Sequence, residues 1–114
     1  MSEFTYLYRG GRDTLQSPDQ RQKQLQKWAA WFKELGTSGH LKELGHPLES
    51  AGMVVKGSQK IVTDGPYAEA KDLVGGFSLI EAKDIAQAVD LSKGCPILEV
   101  GGSVEVRPVM QINM

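Results

Sequence analysis

The fold is decided by the carboxyl-terminal third of the chain. It contains Leu73-Val74-Gly75-Gly76-Phe77-Ser78-Leu79-Ile80, a segment over residues 84–93, and Ser103-Val104-Glu105-Val106-Arg107-Pro108-Val109-Met110. The first reads as a strand whose paired glycines mark a bulge or a close backbone approach. The second puts Ile85, Ala88, Val89 and Ser92 on one face and stops at Gly94, after which Cys95-Pro96 blocks continuation of the helix. The third alternates Val104 and Val106 with Glu105 and Arg107, the period of a strand.

The amino-terminal part repeats this plan. Phe4-Thr5-Tyr6-Leu7-Tyr8 is a strand of aromatic and branched residues ending at Gly10-Gly11. Ser17-Pro18-Asp19-Gln20 is a capping box with proline at the first helical position. The helix it opens carries Leu25, Trp28, Ala29, Phe32 and Leu35 as its core stripe, with Gly36 as its stop. Between the halves, residues 36–52 show no sustained period. They are expected as an irregular loop with one helical turn near Leu41-Lys42-Glu43-Leu44. Met53-Val54-Val55-Lys56 and Lys60-Ile61-Val62-Thr63, joined by Gly57-Ser58-Gln59, form a hairpin that Asp64-Gly65-Pro66 interrupts.

Two helices among a larger number of strands predict an α+β fold, a ferredoxin-like sandwich with both helices on one face of an antiparallel sheet. Apolar residues occupy both parities of the strands, as in Tyr6 beside Leu7 and Leu79 beside Ile80. The face without helices therefore needs a cover, and a second copy of the chain is the expected one.

The 114 residues suit one domain, expected over residues 1–114. Thirteen Lys+Arg against 14 Asp+Glu leave a net charge of −1, which offers no field for broad nucleic-acid binding. The lone Cys95 excludes an intrachain disulfide and a multi-cysteine zinc site. No stretch has the length of a membrane helix, and Met1-Ser2-Glu3-Phe4 lacks the form of a secretory signal, so a cytoplasmic location is expected.

No strong catalytic signature is present: no phosphate-binding glycine loop, no histidine pair at helical spacing, no nucleophile elbow. No cofactor is expected. His40 and His46 match no metal cage, so no metal is expected either. Cys95 follows a helix C-terminus, which disfavours a thiolate, and reads as a small buried residue. The densest group of functional types is Asp64-Gly65-Pro66-Tyr67-Ala68-Glu69-Ala70-Lys71-Asp72. It is a candidate binding loop, although Asp64 capping its own turn and a solvated Glu69 and Lys71 pair would account for the same residues.

Val62-Thr63-Asp64-Gly65-Pro66-Tyr67-Ala68-Glu69, with Gly75-Gly76-Phe77, resembles the signature of the YCII-related family, in its DGPF-domain branch, with Tyr67 in place of phenylalanine. The likeness extends to the first strand, the long helix and the closing strand. It implies a dimeric α+β barrel within a superfamily that includes muconolactone isomerases, ring-modifying oxygenases and proteins acting on chlorinated hydroquinones. Enzymatic members use a histidine on the first helix and an aspartate before a proline after the second. Those positions fall here on Trp28 and on Cys95 before Pro96. Indole has no basic nitrogen, so that acid/base pair does not carry over.

The resemblance implies a homodimer that binds, and in some relatives transforms, a small organic molecule in a cleft between sheet and long helix. Asp64 is the candidate catalytic acid or base, and Tyr67, Glu69, Lys71, Arg107 and Trp28 are the candidate substrate contacts. The alternative is a non-catalytic interaction module linked to transcription, because genes of this branch often adjoin those of sigma factors.

Overall fold

In the computed structural model the described residues are 1–11, 17–65 and 72–112. They form β1 (Ser2–Arg9), α1 (Pro18–Thr37), β2 (Leu41–Glu43), β3 (Gly52–Lys56), β4 (Ile61–Gly65), β5 (Val74–Ala82), α2 (Ile85–Ser92) and β6 (Ser103–Pro108). A 3-10 turn over Pro96–Val100 precedes β6. Four strands make one antiparallel sheet in the order β2-β5-β1-β6, and among the described residues β3 and β4 pair only with each other. Because β5 lies between β1 and β2, and β1 between β5 and β6, each helix bridges two parallel strands with a third between them. This is the split arrangement of a ferredoxin-like α+β fold, with the β3–β4 ribbon inserted between β2 and β5.

Strand alternation sorts the residues of the central strands. Phe4, Tyr6, Tyr8, Ser78, Ile80 and Ala82 are buried, whereas Thr5, Leu7, Phe77 and Leu79 on the opposite face are half-buried. Tyr6 shows that both helices cover the first face. Its ring stacks on Trp31 of α1 at 6.0 Å, and its hydroxyl donates to the Ala88 carbonyl of α2. The expectation of apolar residues on both parities therefore holds.

The capping box at the start of α1 forms as read, with Ser17 Oγ accepting from the Gln20 amide and the Gln20 side chain accepting from the Ser17 amide, each at 3.1 Å. The face of the helix differs from the expected stripe. Gln24, Trp31 and Leu35 are buried and Trp28 and Phe32 partly so, while Leu25 is 64% exposed and Ala29 faces solvent. The Gln24 amide donates to the Pro96 carbonyl at 3.0 Å, a tertiary bond that buries a polar residue in preference to the leucine beside it. The helix also continues through Gly36 to Thr37 and is capped at Ser38.

Two further expectations are corrected. Residues 41–43 form an edge strand instead of a helical turn, because Leu41 pairs with Ile80 across the sheet and local sequence does not encode that partner. The strand β4 runs on through Asp64 and Gly65, which pair with Met53 and Gly52. In α2, Ala88 and Ser92 are buried but Ile85 and Val89 are exposed, so the core face is narrower than the sequence stripe.

The paired glycines of β5 do mark a bulge. The register slips from Tyr8 opposite Gly76 to Arg9 opposite Val74. There the chain after β2 lies against the strand, with the Leu48 amide donating to the Gly75 carbonyl at 2.8 Å. Gly45 enters this crossing at φ +75°, and a Cβ on it would lie 1.7 Å from the Phe77 carbonyl oxygen, so only glycine fits.

Trp31→Ala, which removes the ring under Tyr6, should cost ~3–5 kcal/mol by urea denaturation, whereas Leu25→Ser should change stability by less than ~0.5 kcal/mol. Comparable losses at the two positions would show that the helix face has been assigned wrongly.

Candidate functional site

Where β1 approaches the bulge, its alternation ends on Tyr8, and a group of aromatic and hydroxyl side chains gathers around it. The Tyr8 hydroxyl donates to Ser78 Oγ at 2.8 Å, and Ser78 Oγ donates to the Leu44 carbonyl at 2.6 Å. The Tyr8 ring meets the Trp28 ring edge-to-face at 4.9 Å, and Phe32 tilts against Trp28 at 5.6 Å. Trp28 and Phe32 lie one helical turn apart and are both only partly buried. Leu25, on the preceding turn, and Leu44, at the end of the hydroxyl relay, are exposed. The junction of α1 with the sheet thus presents an aromatic wall over a buried, hydrogen-bonded floor. Such a surface suits a flat apolar ligand.

Proton transfer is poorly served by this floor. Burial raises the pKa of Tyr8, opposed in part by the hydrogen bond to Ser78, and burial likewise raises that of Tyr6. Cys95 is 2% exposed, and its thiol is pushed up to about 12 by burial, with the Ile97 backbone amide opposing. The sequence reading of a protonated thiol is correct, but desolvation leads as its cause. The two positions where the family resemblance would place acid/base groups are therefore an indole and a neutral thiol.

Of the candidate site residues, Trp28 lies on this wall. Asp64 is exposed on β4 of the ribbon. Arg107 is exposed on β6 opposite Thr5, hence on the sheet face away from the helices, with its Nε 3.9 Å from Glu105. Arg107 and Trp28 are thus separated by the sheet, and no hydrogen bond or ion pair among the described residues joins Asp64 to either. Tyr67, Glu69 and Lys71 lie outside the described residues. Tyr8, Phe32 and Ser78 were missed as site residues. The signal available for Ser78 was a single hydroxyl among the apolar residues 73–80.

Concavities are found elsewhere among the described residues, away from Trp28. One of about 680 Å³ at the end of the sheet is lined by Glu3, Phe4, Glu81, Ile85 and Val109. One of about 480 Å³ lies between α1 and the 3-10 turn, beside Lys23, Lys27 and Glu99. His40 holds the backbone of β5 through Nδ1, 2.8 Å from the Glu81 carbonyl. No group of three or more His, Cys, Asp or Glu among the described residues is placed to hold a metal ion. No helix among them is long and apolar enough to cross a membrane.

The buried Cys95 and tyrosines fix the sign of an alkaline pH dependence. In the unfolded chain the thiol loses its proton near pH 9, but in the fold it keeps it to about pH 12. The unfolded state therefore binds fewer protons in that window, and stability falls as pH rises from 9 to 12. Thermal melts from pH 8 to 11 should show a declining midpoint, with a shallower decline in Cys95→Ala. A midpoint that rises over this range would contradict the assignment.

Comparison with known proteins places these features in a family. A curated, uncharacterised protein of Rhizobium meliloti (strain 1021) is 32% identical over 79 residues, which cover 68% of this chain and 64% of that protein. The match thus spans slightly less than two thirds of the relative's length. Among solved structures, the chain is similar to 5-chloro-2-hydroxyhydroquinone dehydrochlorinase from Burkholderia phenoliruptrix AC1100, in complex with 2,5-dihydroxybenzoquinone. That comparison gives a TM-score of 0.45 and 17% identity, over 94% of this chain and 91% of the other. The family model described as the YCII-related domain matches residues 4–113, and the chain therefore belongs to the YCII-related family.

Proposed function

We propose that this YCII-related chain is a homodimeric protein that binds a small, flat organic molecule against the α1 end of its sheet. The observation that carries the reading is the position of Trp28. It packs edge-on against Tyr8, above the relay from Tyr8 through Ser78 to the Leu44 carbonyl, yet it keeps part of its ring uncovered. Within the family we assign the chain to the DGPF branch on Asp64-Gly65-Pro66-Tyr67. To the residues of this motif and the stretch after it we assign the polar groups, with Tyr67, Glu69 and Lys71 for recognition and Asp64, on β4, as the carboxylate for any turnover. Arg107 belongs to the opposite face and would act from the dimer side. Nothing in the fold supports the transcription-linked alternative.

The homodimer reading rests on the uncovered face of the sheet. Leu7, Phe77 and Leu79 form its apolar centre, and charged groups frame it, with Arg9 bonded to Glu105 at 2.9 Å on one side and Lys42 bonded to Glu3 on the other. An apolar centre with a rim of both charge signs is the layout of a self-complementary interface.

Binding is read by isothermal titration calorimetry, with hydroquinone and 2-naphthol as probes. Saturable binding below about 1 mM, the weak end of specific small-molecule affinity, should be lost in Trp28→Ala, whose melting temperature should stay within a few degrees of that of the unmodified chain. Equal binding by Trp28→Ala would overturn the cleft. Asp64→Asn separates recognition from architecture: weaker binding with an unchanged melt supports its assignment, and a lowered melt with unchanged binding supports a turn-capping role. Light scattering of the unmodified chain should give twice the chain mass, and a monomer mass would overturn the dimer.

A further inference from the structure

Hydrogen-bond accounting decides which polar hydrogen of the aromatic group a ligand can use. A carbonyl oxygen only accepts, so the 2.6 Å contact between Ser78 Oγ and the Leu44 carbonyl takes the single hydroxyl hydrogen of Ser78. Ser78 Oγ can then only accept from Tyr8, and their 2.8 Å contact takes the Tyr8 hydrogen as well. The Tyr6 hydroxyl donates to the Ala88 carbonyl, and the Trp31 Nε1–H donates to the Leu91 carbonyl at 3.3 Å. Each of these donors is spent inside the fold.

Trp28 differs. Among the described residues no group accepts a hydrogen bond from its indole nitrogen, and none of their buried side-chain nitrogens or oxygens lacks a partner. Trp28 Nε1 therefore lies where solvent reaches it, on a side chain that is otherwise packed against the core. The ring is held by Tyr8 at 4.9 Å, Phe32 at 5.6 Å and Trp31 at 5.9 Å between centroids. Its N–H is thus a donor of fixed position, unlike one at the end of a long surface chain.

The surroundings select what that donor meets. An indole N–H donates and never accepts, and it stays protonated at any physiological pH. The neighbouring groups are aromatic rings and hydroxyls with no hydrogen left to give, and Tyr8 is only 5% exposed. An anion placed there would lose hydration and gain one neutral donor. A neutral carbonyl oxygen loses less, and a single bond satisfies it.

We propose that the Trp28 indole N–H is the recognition donor of the site, and that the ligand it selects is a flat aromatic compound bearing a neutral carbonyl oxygen. The proposal rests on the cleft reading above. Trp28 then acts twice: its ring supplies contact area, and its N–H fixes which edge of the ligand enters.

The test separates the ring from the N–H. Acetophenone, ethylbenzene and benzoate share one ring and differ in carrying an acetyl group, an ethyl group of similar size, or a carboxylate. By isothermal titration calorimetry acetophenone should bind about fivefold tighter than ethylbenzene, the size of one net hydrogen bond, and also tighter than benzoate. Trp28→Phe keeps an aromatic ring and should bring acetophenone to within about twofold of ethylbenzene. In proton–nitrogen correlation spectra the two tryptophans give two indole signals, assigned with Trp28→Phe and Trp31→Phe. The Trp28 signal should exchange with water faster than the Trp31 signal, and it should move downfield with acetophenone but not with ethylbenzene. Slow exchange at Trp28 in the free chain overturns the open donor before any ligand is added. Equal binding of acetophenone and ethylbenzene overturns the recognition bond and leaves the cleft standing. A preference that survives in Trp28→Phe also overturns it, because the carbonyl then has another partner. Benzoate binding tighter than acetophenone overturns the neutral class, and failure of all the probes to bind overturns the cleft as well. If circular dichroism shows Trp28→Phe to be unfolded, the exchange and shift measurements on the unmodified chain decide, with assignment from Trp31→Phe.

Discussion

Tyr6 holds the layers together. It sits on the central strand, fully buried, with Ser78 of β5 on one side and Val106 of β6 on the other. Its ring lies on Trp31 and its hydroxyl reaches the Ala88 carbonyl. One side chain therefore ties both neighbouring strands and both helices to a single point. A buried phenol is tolerated because its hydroxyl has a partner, and that partner is a helix backbone whose position the bond then fixes. The aromatic wall at Trp28 depends on this arrangement, since Trp31 and Trp28 lie on one helix and Tyr6 and Tyr8 on one strand.

Much of the fold was legible because it is encoded locally. The Ser17 capping box, the alternation of Phe4, Tyr6 and Tyr8, the hairpin around Gly57, and the bulge at Gly75 and Gly76 each follow from a few adjacent residues. What was missed depends on distant partners. Leu41 becomes a strand residue because Ile80 is there to receive it, and Gln24 displaces Leu25 from the core because Pro96 offers a carbonyl. The Pro96–Val100 turn was read as nothing more than a helix stop, yet it supplies that carbonyl.

The site was less legible than the fold. Trp28 stood out as an indole at a position where the family resemblance implies histidine, but Tyr8, Ser78 and Phe32 were indistinguishable from ordinary core residues in one dimension. They become a site through two hydrogen bonds and a pair of ring contacts between segments that lie far apart in the chain. Asp64 and Arg107 were grouped through the clustering of functional types near the motif and through the family resemblance. The structure puts one on the ribbon and the other on the far face of the sheet.

The placement of β1 between β5 and β6 also has a consequence for how the protein is made. Tyr6 pairs with Val106, so the first strand of this fold meets its last neighbour about a hundred residues later. At translation rates of roughly 5–20 residues per second, that is a wait of about 5–20 s. Until Ala82 is made this aromatic, β-prone segment has neither flanking strand, and until Pro108 it has only one, so completion of the sheet is deferred to the last strand of the fold. The same centrality that makes β1 the anchor of the finished molecule leaves it the most vulnerable segment of the nascent one.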